Sequence, residues 1–253
     1  MSDRPLLEVN GLRKRFGDVD VLADIGVRVR AGEFVSVLGP SGAGKSTIFQ
    51  TLIGRHAADA GTILFDGKPL DERRRPFAYM PQHDALMPWR RVLDNLTLGL
   101  EVQNMSRKTA RALVRPLLAE FGLEGFEHHW PAQLSGGMRQ RAGLLRTVVQ
   151  DRRMLLLDEP FGALDALTRA RMQRWLKSLW SDHDWTALLI THDVAEAVFL
   201  SDRIYVLSAR PARVIREITV PLPPSRTGGD GVSQAAREIE REVLETLLLT
   251  AND

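Results

Sequence analysis

Nine consecutive residues, GPSGAGKST at positions 39–47, constrain the fold more than any other part of the chain. They follow the apolar run 34–38, which is typical of a buried strand, and they precede a helix-compatible stretch that Gly54 can end. A glycine-rich loop between a strand and a helix is an arrangement that binds phosphate, because its N–H groups converge on an anion. The competing interpretation, a β-turn with a surface lysine, is disfavoured by the flanking strand and helix.

The residue types in this loop predict its chemistry. We expect Gly39, Gly42 and Gly44 to take positive φ and to let the backbone approach a ligand closely. Lys45 supplies a mobile cation that can follow the outer phosphates of a nucleotide. The hydroxyl of Ser46 is a hard oxygen ligand of the kind that Mg²⁺ prefers.

Length and composition exclude several classes of protein. The 253 residues suffice for one large domain or two small ones, and the absence of cysteine excludes disulfides, zinc–thiolate sites and thiol catalysis. Apolar runs are only a few residues long, so we expect no membrane-spanning segment, and the first residues lack the apolar region of a signal peptide. A formal charge of +2 is too small to indicate a nucleic-acid partner, and the lack of cysteine fits a reducing cytosol.

Short strands surround the loop. Residues 6–16 and 21–30 read as two strands joined by a turn, and we expect them to form an antiparallel flap beside the main sheet. Further strands are expected at 61–66 and 77–82. Phe16, near the turn of the flap, is equally compatible with core packing and with stacking on a nucleotide base.

The segment 89–150 has helical spacing and no β-rich run, which predicts a helical subdomain inserted into an α/β domain. One helix face is expected from Val92 to Leu100, and a second helix is expected from a Ser106 cap to Gly122, with Leu113 among its apolar positions. Just before this segment, the loop 83–89 carries leucine, methionine and tryptophan. These residues are either core anchors or an exposed docking patch, and we favour docking.

A third helix of this segment begins at Ser135, which is followed by two glycines. Gly136 and Gly137 weaken a helix, yet they allow its backbone to approach an anion. The sequence therefore predicts a second phosphate-contacting element at this helix start.

Two carboxylates end the apolar run 154–157. Because side chains alternate along a strand, we expect Asp158 and Glu159 to point to opposite sides and to serve different tasks, one at Mg²⁺ and one at the attacking water. His192 ends another apolar run and should share the same sheet edge, where ligands of parallel sheets bind. Closing strands are expected at 203–208 and 213–220, and an amphipathic helix at 233–249.

The order of these motifs resembles the ATP-binding cassette (ABC) ATPase family over nearly the whole chain: the loop at 39–47, Gln82, LSGGMRQR at 134–141, LLLDEP at 155–160, and His192. The resemblance implies a P-loop NTPase fold of the α/β class, with a mostly parallel core sheet, an N-terminal antiparallel flap and an inserted helical subdomain. It implies one domain over 1–253: a RecA-like core at 1–88 and 151–220, helices at 89–150, and a linker with a C-terminal helix at 221–253.

The family also implies roles for individual residues. Glu159 would be the catalytic base, His192 a switch residue, and Gln82 a contact to both Mg²⁺ and the attacking water. The metal set would be Ser46, Gln82 and Asp158. The residues expected to bind ATP are Phe16, Gly39, Pro40, Ser41, Gly42, Ala43, Gly44, Lys45, Ser46, Thr47, Ser135, Gly136 and Gly137.

Three further segments, at 86–92, 160–169 and 208–214, resemble cassettes of bacterial importers for nitrate, sulfonates and taurine. The resemblance implies ATP hydrolysis that drives uptake of a small solute through a separate membrane permease. A non-transport ATPase of DNA repair, translation or cluster assembly is the alternative. The implied partners are a second cassette, the permease subunits and, indirectly, a periplasmic solute-binding protein, with no nucleic acid. The implied location is the cytoplasmic face of the inner membrane.

Overall fold

The computed structural model describes residues 4–71, 76–181, 183, 185–222 and 234–250. Within these ranges the strands are β1 (Leu7–Phe16), β2 (Val19–Val29), β3 (Phe34–Leu38), β4 (Ala60–Phe65), β5 (Lys68–Pro69), β6 (Phe77–Met80), β7 (Met154–Asp158), β8 (Ala187–Thr191), β9 (Arg203–Leu207) and β10 (Ala212–Thr219). The α-helices are α1 (Lys45–Leu52), α2 (Val92–Leu96), α3 (Leu98–Val102), α4 (Arg107–Val114), α5 (Leu117–Glu120), α6 (Gly136–Val148), α7 (Ala166–Ser181), α8 (Val194–Leu200) and α9 (Gln234–Thr250).

The strands of the described residues form one sheet in the order β5-β4-β1-β2-β10-β9-β3-β8-β7-β6. Pairing is parallel from β9 through β3, β8 and β7 to β6, whereas β1 pairs antiparallel with both β2 and β4. The predicted α/β class, with a mostly parallel core and an antiparallel flap, is confirmed.

The central strands are buried along their whole length. Every residue of β3, β7, β8 and β9 is buried, which explains why β7 and β8 read as nearly continuous apolar runs and not as alternating ones. The carboxyl ends of β3, β6, β7 and β8 lie at one edge of the sheet. Residues that directly follow these strands are therefore brought together.

Helices α2 to α6 lie between β6 and β7 in the chain, and two expectations about them need correction. The second helix of this segment is interrupted: α4 ends at Val114 and α5 begins at Leu117, because Pro116 between them has no N–H to continue the helical hydrogen bonds. Leu113, expected on the apolar face, is 50% exposed, while Ala110 and Val114 are buried.

The loop before α2 is divided between core and surface. Leu86 is only 8% exposed and packs in the core of the helical segment, whereas Trp89 is 72% exposed. The expectation of an exposed patch is therefore wrong for Leu86. It holds for Trp89, the largest exposed side chain of this loop.

The C-terminal helix α9 packs on the sheet through Ala236, Ile239 and Val243, which form a cluster with Ile204 and Val206. Most of the linker expected before it, residues 223–233, lies outside the described residues. None of the helices described here combines the length and the hydropathy needed to cross a membrane.

Candidate functional site

The phosphate loop connects β3 to α1, as expected, but its glycines serve two different purposes. Gly42 and Gly44 have φ of +77° and +102°, and a Cβ on Gly44 would lie 2.7 Å from Cγ1 of Val21. Gly39 does not take positive φ, so that expectation is wrong. A Cβ on Gly39 would lie 3.0 Å from Cβ of Leu207, so glycine is needed there for close packing.

Free donors converge at the start of α1. The N–H groups of Ser41, Gly42 and Gly44 have no main-chain acceptor within the described part of the chain, whereas Ala43 and Thr47 make turn hydrogen bonds. Unpaired N–H groups at a helix start favour an anion. The loop therefore fits a polyphosphate.

Lys45 is only 5% exposed and folds back over the loop. Its Nζ donates to the carbonyl oxygens of Gly39 (2.9 Å) and Pro40 (3.0 Å) and lies 3.9 Å from Oε1 of Glu159. Burial lowers the pKa of Lys45, and the charges of Glu159 and Asp158 act in the opposite direction. A buried cation held by carbonyl oxygens and near carboxylates is well placed to exchange them for phosphate oxygens.

Asp158 ends β7, is 3% exposed and is bonded at both carboxylate oxygens. Its Oδ1 accepts from Oγ of Ser46 (3.1 Å) and its Oδ2 accepts from the hydroxyl of Tyr79 (3.0 Å). Burial raises the pKa of Asp158, and it also raises the pKa of Tyr79, with a further contribution from the Asp158 charge. The phenol therefore remains protonated and remains a donor.

Glu159 departs from strand geometry, since its φ is +45°. The expected alternation fails for this reason: Asp158 reaches Ser46, and Glu159 lies near Lys45, so both carboxylates approach the phosphate loop. Positive φ is uncommon for a residue with a side chain and marks a strained position.

Glu159 also contacts residues that follow the two neighbouring strands, β6 and β8. Its Oε2 accepts from Nε2 of Gln82 at 3.1 Å and lies 3.2 Å from Nδ1 of His192. Gln82 follows β6, Glu159 follows β7 and His192 follows β8, so three predicted site residues are brought together by parallel pairing.

The oxygen donors suit a hard cation. Ser46, Asp158 and Gln82 offer a hydroxyl, a carboxylate and an amide oxygen, and the loop beside them fits the phosphates that would complete the coordination. No group of three His, Cys, Asp or Glu side chains among the described residues could hold a metal by itself. The hydroxyl, carboxylate and amide oxygens of Ser46, Asp158 and Gln82 are of the kind that Mg²⁺ takes.

The predicted second anion-contacting element stands apart from this cluster. Ser135 caps α6 by accepting from the N–H of Met138 (3.2 Å), and both Ser135 and Gly136 are exposed. Among the described residues, a Cβ on Gly136 would meet nothing closer than Leu164 at 3.7 Å, so packing against them does not require glycine there. Gly137 differs, because a Cβ would lie 3.1 Å from Cγ2 of Thr168.

Phe16 also lies outside the cluster of contacts around Glu159. The ring is 41% exposed, packs edge-on against His56 with centroids 5.0 Å apart, and has Nζ of Lys14 5.3 Å from its centroid. The core-packing interpretation is therefore wrong, and base stacking stays a prediction.

Two residues that contact the site were missed by sequence reasoning. Tyr79 binds Asp158 and could have been found from its place on the strand that leads to Gln82. Arg210 donates from Nη2 to the carbonyl oxygen of Gly42 at 2.7 Å. It reaches the loop from a distant part of the chain, which no local pattern reveals.

Comparison with known proteins identifies a matching family and close relatives in sequence. The family model described as ABC transporter matches residues 22–162. The aliphatic sulfonates import ATP-binding protein SsuB of Rhodopseudomonas palustris is 44% identical over 98% of this chain and 85% of that protein. The taurine import ATP-binding protein TauB of Yersinia pestis bv. Antiqua is 42% identical over 85% of this chain and 84% of that protein.

Two solved structures share the fold with a TM-score of 0.73, each covering 86% of this chain and all of its own. One is the dimeric structure of MJ0796, a bacterial ABC transporter cassette, at 29% identity. The other, at 28% identity, is the dimeric post-hydrolysis state of the same cassette bound to ADP and Pi. With this fold, these motifs and these relatives, the chain belongs to the ABC transporter family.

Proposed function

We propose that this chain is the ATP-hydrolysing subunit of a bacterial ABC importer for a small sulfonate such as taurine. One observation carries the enzymatic part of the proposal: Lys45, Gln82, Glu159 and His192 meet at the sheet edge beside a loop of free N–H donors. The names of the relatives support the importer part.

Some residues of the chain bind the nucleotide, and others carry out its hydrolysis. The amides of the loop and Lys45 bind the triphosphate, with Lys45 leaving the carbonyl oxygens of Gly39 and Pro40 for phosphate oxygens. Phe16 offers an exposed ring for the base. Mg²⁺, held by Ser46 and Asp158 with Gln82 nearby, supplies charge neutralisation at the phosphates when it is bound.

Glu159 acts as general base. Water attacks the γ-phosphorus, its proton passes to a carboxylate oxygen of Glu159, and the bond to the bridging oxygen breaks to give ADP and phosphate. Gln82 and His192 both contact Oε2 of Glu159, so they fix the carboxylate that must face the water.

A second copy of the chain completes the site. Ser135 and Gly136 are exposed, and packing against the described residues gives Gly136 no reason to be glycine. We place this helix start against the nucleotide of a partner subunit, so that ATP binding closes a homodimer and hydrolysis lets it open. The dimeric cassettes that share the fold support this arrangement.

The closed and open dimers drive a membrane permease, with Trp89 at the docking surface on the cytoplasmic face. A periplasmic binding protein delivers the solute. The relatives SsuB and TauB are named for the import of sulfonates and taurine, and neither is named for DNA repair, translation or cluster assembly.

Titration calorimetry and light scattering test the enzymatic part. We expect the wild-type protein to bind Mg-ATP and to dimerise with it until hydrolysis lets the dimer open. We expect Lys45→Ala to weaken ATP binding at least tenfold because a buried phosphate contact is lost. Lys108→Ala changes an exposed lysine of α4 and serves as the control. Wild-type protein that ignores Mg-ATP would refute the proposal.

Growth tests the solute class. A strain without the gene should fail to grow on taurine or an alkanesulfonate as sole sulfur source and should grow normally on sulfate. Wild-type protein should restore growth, and the Lys45→Ala variant should not. Normal growth of the deletion strain on every sulfonate would exclude sulfonates as the solute class. It would not contradict the proposal that the chain hydrolyses ATP.

A further inference from the structure

We propose that Tyr79 is a positioning residue that fixes the Asp158 carboxylate for Mg²⁺ binding through its phenol hydroxyl. The inference rests on the proposed function and deepens it. Its basis is the pair of hydrogen bonds at Asp158, whose Oδ1 accepts from Ser46 (3.1 Å) and whose Oδ2 accepts from Tyr79 (3.0 Å).

The two donors differ in what else they must do. Ser46 is itself the hydroxyl proposed to bind the metal, so its bond to Asp158 competes with that task. Tyr79 has no such competing task. It is the donor that can hold the Asp158 carboxylate in one orientation while Ser46 turns toward a cation.

The position of the phenol is fixed by the fold. Tyr79 lies on β6 opposite Leu156 of β7, two residues before Asp158, so the two side chains project on the same face of a parallel pair. The Tyr79 ring packs edge-on against Phe49 of α1, with centroids 6.1 Å apart. Phe49 is fully buried and lies three residues after Ser46 on the same helix. Tyr79 therefore links the strand before Gln82, the helix after the phosphate loop and Asp158.

Loss of the Tyr79 hydroxyl should change the orientation of the Asp158 carboxylate. Asp158 is 3% exposed, so Oδ2 would lose its partner with little access to water. A buried carboxylate with one free oxygen can rotate or find another donor. In either case, its alignment toward a metal beside Ser46 is lost.

The test is Tyr79→Phe, which keeps the ring against Phe49 and removes only the hydroxyl. We expect ADP affinity in EDTA, measured by calorimetry, to stay within about twofold of wild type. We expect Mn²⁺, used as a paramagnetic substitute for Mg²⁺ and followed by electron paramagnetic resonance, to bind the ADP-loaded protein about tenfold more weakly.

Tyr205→Phe is the matched control. Tyr205 is a buried tyrosine of β9 whose hydroxyl bonds to the main chain of Arg28, at 3.1 Å from its N–H and 3.2 Å from its carbonyl oxygen. Removing that hydroxyl also deletes buried hydrogen bonds. It should leave Mn²⁺ affinity unchanged, so the pair separates positioning of Asp158 from general stability.

A double variant shows whether Tyr79 acts through Asp158. Once Asp158→Asn has removed the carboxylate, Tyr79→Phe should cause no further loss of Mn²⁺ affinity, and this comparison can be made even if Tyr79→Phe alone does not fold. Unchanged Mn²⁺ affinity in Tyr79→Phe, an equal loss of ADP affinity in EDTA, or a further loss in the Asp158→Asn background would overturn the inference. Wild-type protein that binds no nucleotide would instead refute the proposed function.

Discussion

The side-chain amide of Gln82 donates to the carboxylate of Glu159, with Nε2 3.1 Å from Oε2, and the same oxygen lies 3.2 Å from Nδ1 of His192. One carboxylate oxygen therefore joins residues that follow three parallel strands. Glu159 reaches this position with a φ of +45°, outside the strand it follows. Such strain at a contact between strand ends is consistent with a functional position.

The first prediction concerns this carboxylate. Glu159→Gln keeps an oxygen that can accept from Gln82 but removes the group that takes a proton, so we expect ATP binding to persist and turnover to fall at least 100-fold. Phosphate release measures turnover, and light scattering should reveal ATP-bound dimers that accumulate because hydrolysis no longer opens them.

Glu8→Gln is the control for that experiment. It makes the same change in a carboxylate of β1 that pairs with Arg28 at 3.3 Å. Hydrolysis by this variant should match the wild type. Near-normal turnover in Glu159→Gln would show that another group takes the proton.

Much of the fold follows from apolar patterning, because a strand buried on both faces is mostly apolar. β3, β7 and β8 are read from the sequence for this reason. The break between α4 and α5 and the exposure of Leu113 are harder to predict from the sequence. Helical spacing alone does not show which turn of a helix faces the core.

At the site, the sequence predicts the members of the cluster but not its contacts. Gln82, Glu159 and His192 are expected together because parallel strands share an edge. The bond from Tyr79 to Asp158 depends on the register of β6 against β7, and the positive φ of Glu159 depends on the turn after β7. Both are tertiary properties.

The second prediction separates core from docking surface in the loop before α2. Leu86→Ala should lower the free energy of unfolding by about 2–4 kcal/mol, because Leu86 is buried in the core of the helical segment. Trp89→Ala, at a side chain that is 72% exposed, should change it by less than about 0.5 kcal/mol. Urea unfolding measures both.

The Trp89→Ala variant also tests docking to the permease. With the permease present, Trp89→Ala should abolish its stimulation of ATP hydrolysis while basal hydrolysis stays normal. A large loss of stability in Trp89→Ala would instead assign Trp89 to the folded core. Normal stimulation would place the docking surface elsewhere.

The third prediction concerns the attachment of that loop to α6. Arg146 donates to the carbonyl oxygens of Asp84 (2.6 Å) and Ala85 (2.7 Å), and Ala85 has a φ of +46°. Arg139, also on α6, donates to the Asp84 carboxylate at 3.1 Å. The segment that follows Gln82 is thus tied to α6, the helix that Ser135 caps.

Removing that tie should loosen the loop. In Arg146→Ala we expect amide hydrogen exchange across residues 83–88 to quicken about tenfold, because two charge-assisted bonds to the main chain are lost. Arg152→Ala, an exposed arginine just beyond α6, should leave exchange unchanged. Equal exchange in both variants would show that other contacts hold the loop.

The fourth prediction is a pH dependence of stability at Glu196 of α8. The side chain is 3% exposed, Oε1 is without a hydrogen-bond partner among the described residues, and Oε2 accepts from Gln173 at 3.1 Å. Burial is the main cause that raises its pKa from 4.5 to about 7. The hydrogen bond from Gln173 opposes the rise, the charge of Asp193 adds to it, and Arg169 opposes it.

The sign follows from proton binding. Between about pH 4.5 and about pH 7 the folded protein holds a proton on Glu196 that the unfolded chain has released, so stability falls as pH rises through this window. Each unit of pKa difference is worth about 1.4 kcal/mol, which makes the decline on the order of 3 kcal/mol. Glu196→Gln should remove this decline and stabilise the protein above pH 7, as measured by urea unfolding at a series of pH values. Glu238→Gln, at an exposed glutamate of α9, should retain the wild-type slope, and a wild-type slope in Glu196→Gln would mean that Glu196 is ionised throughout.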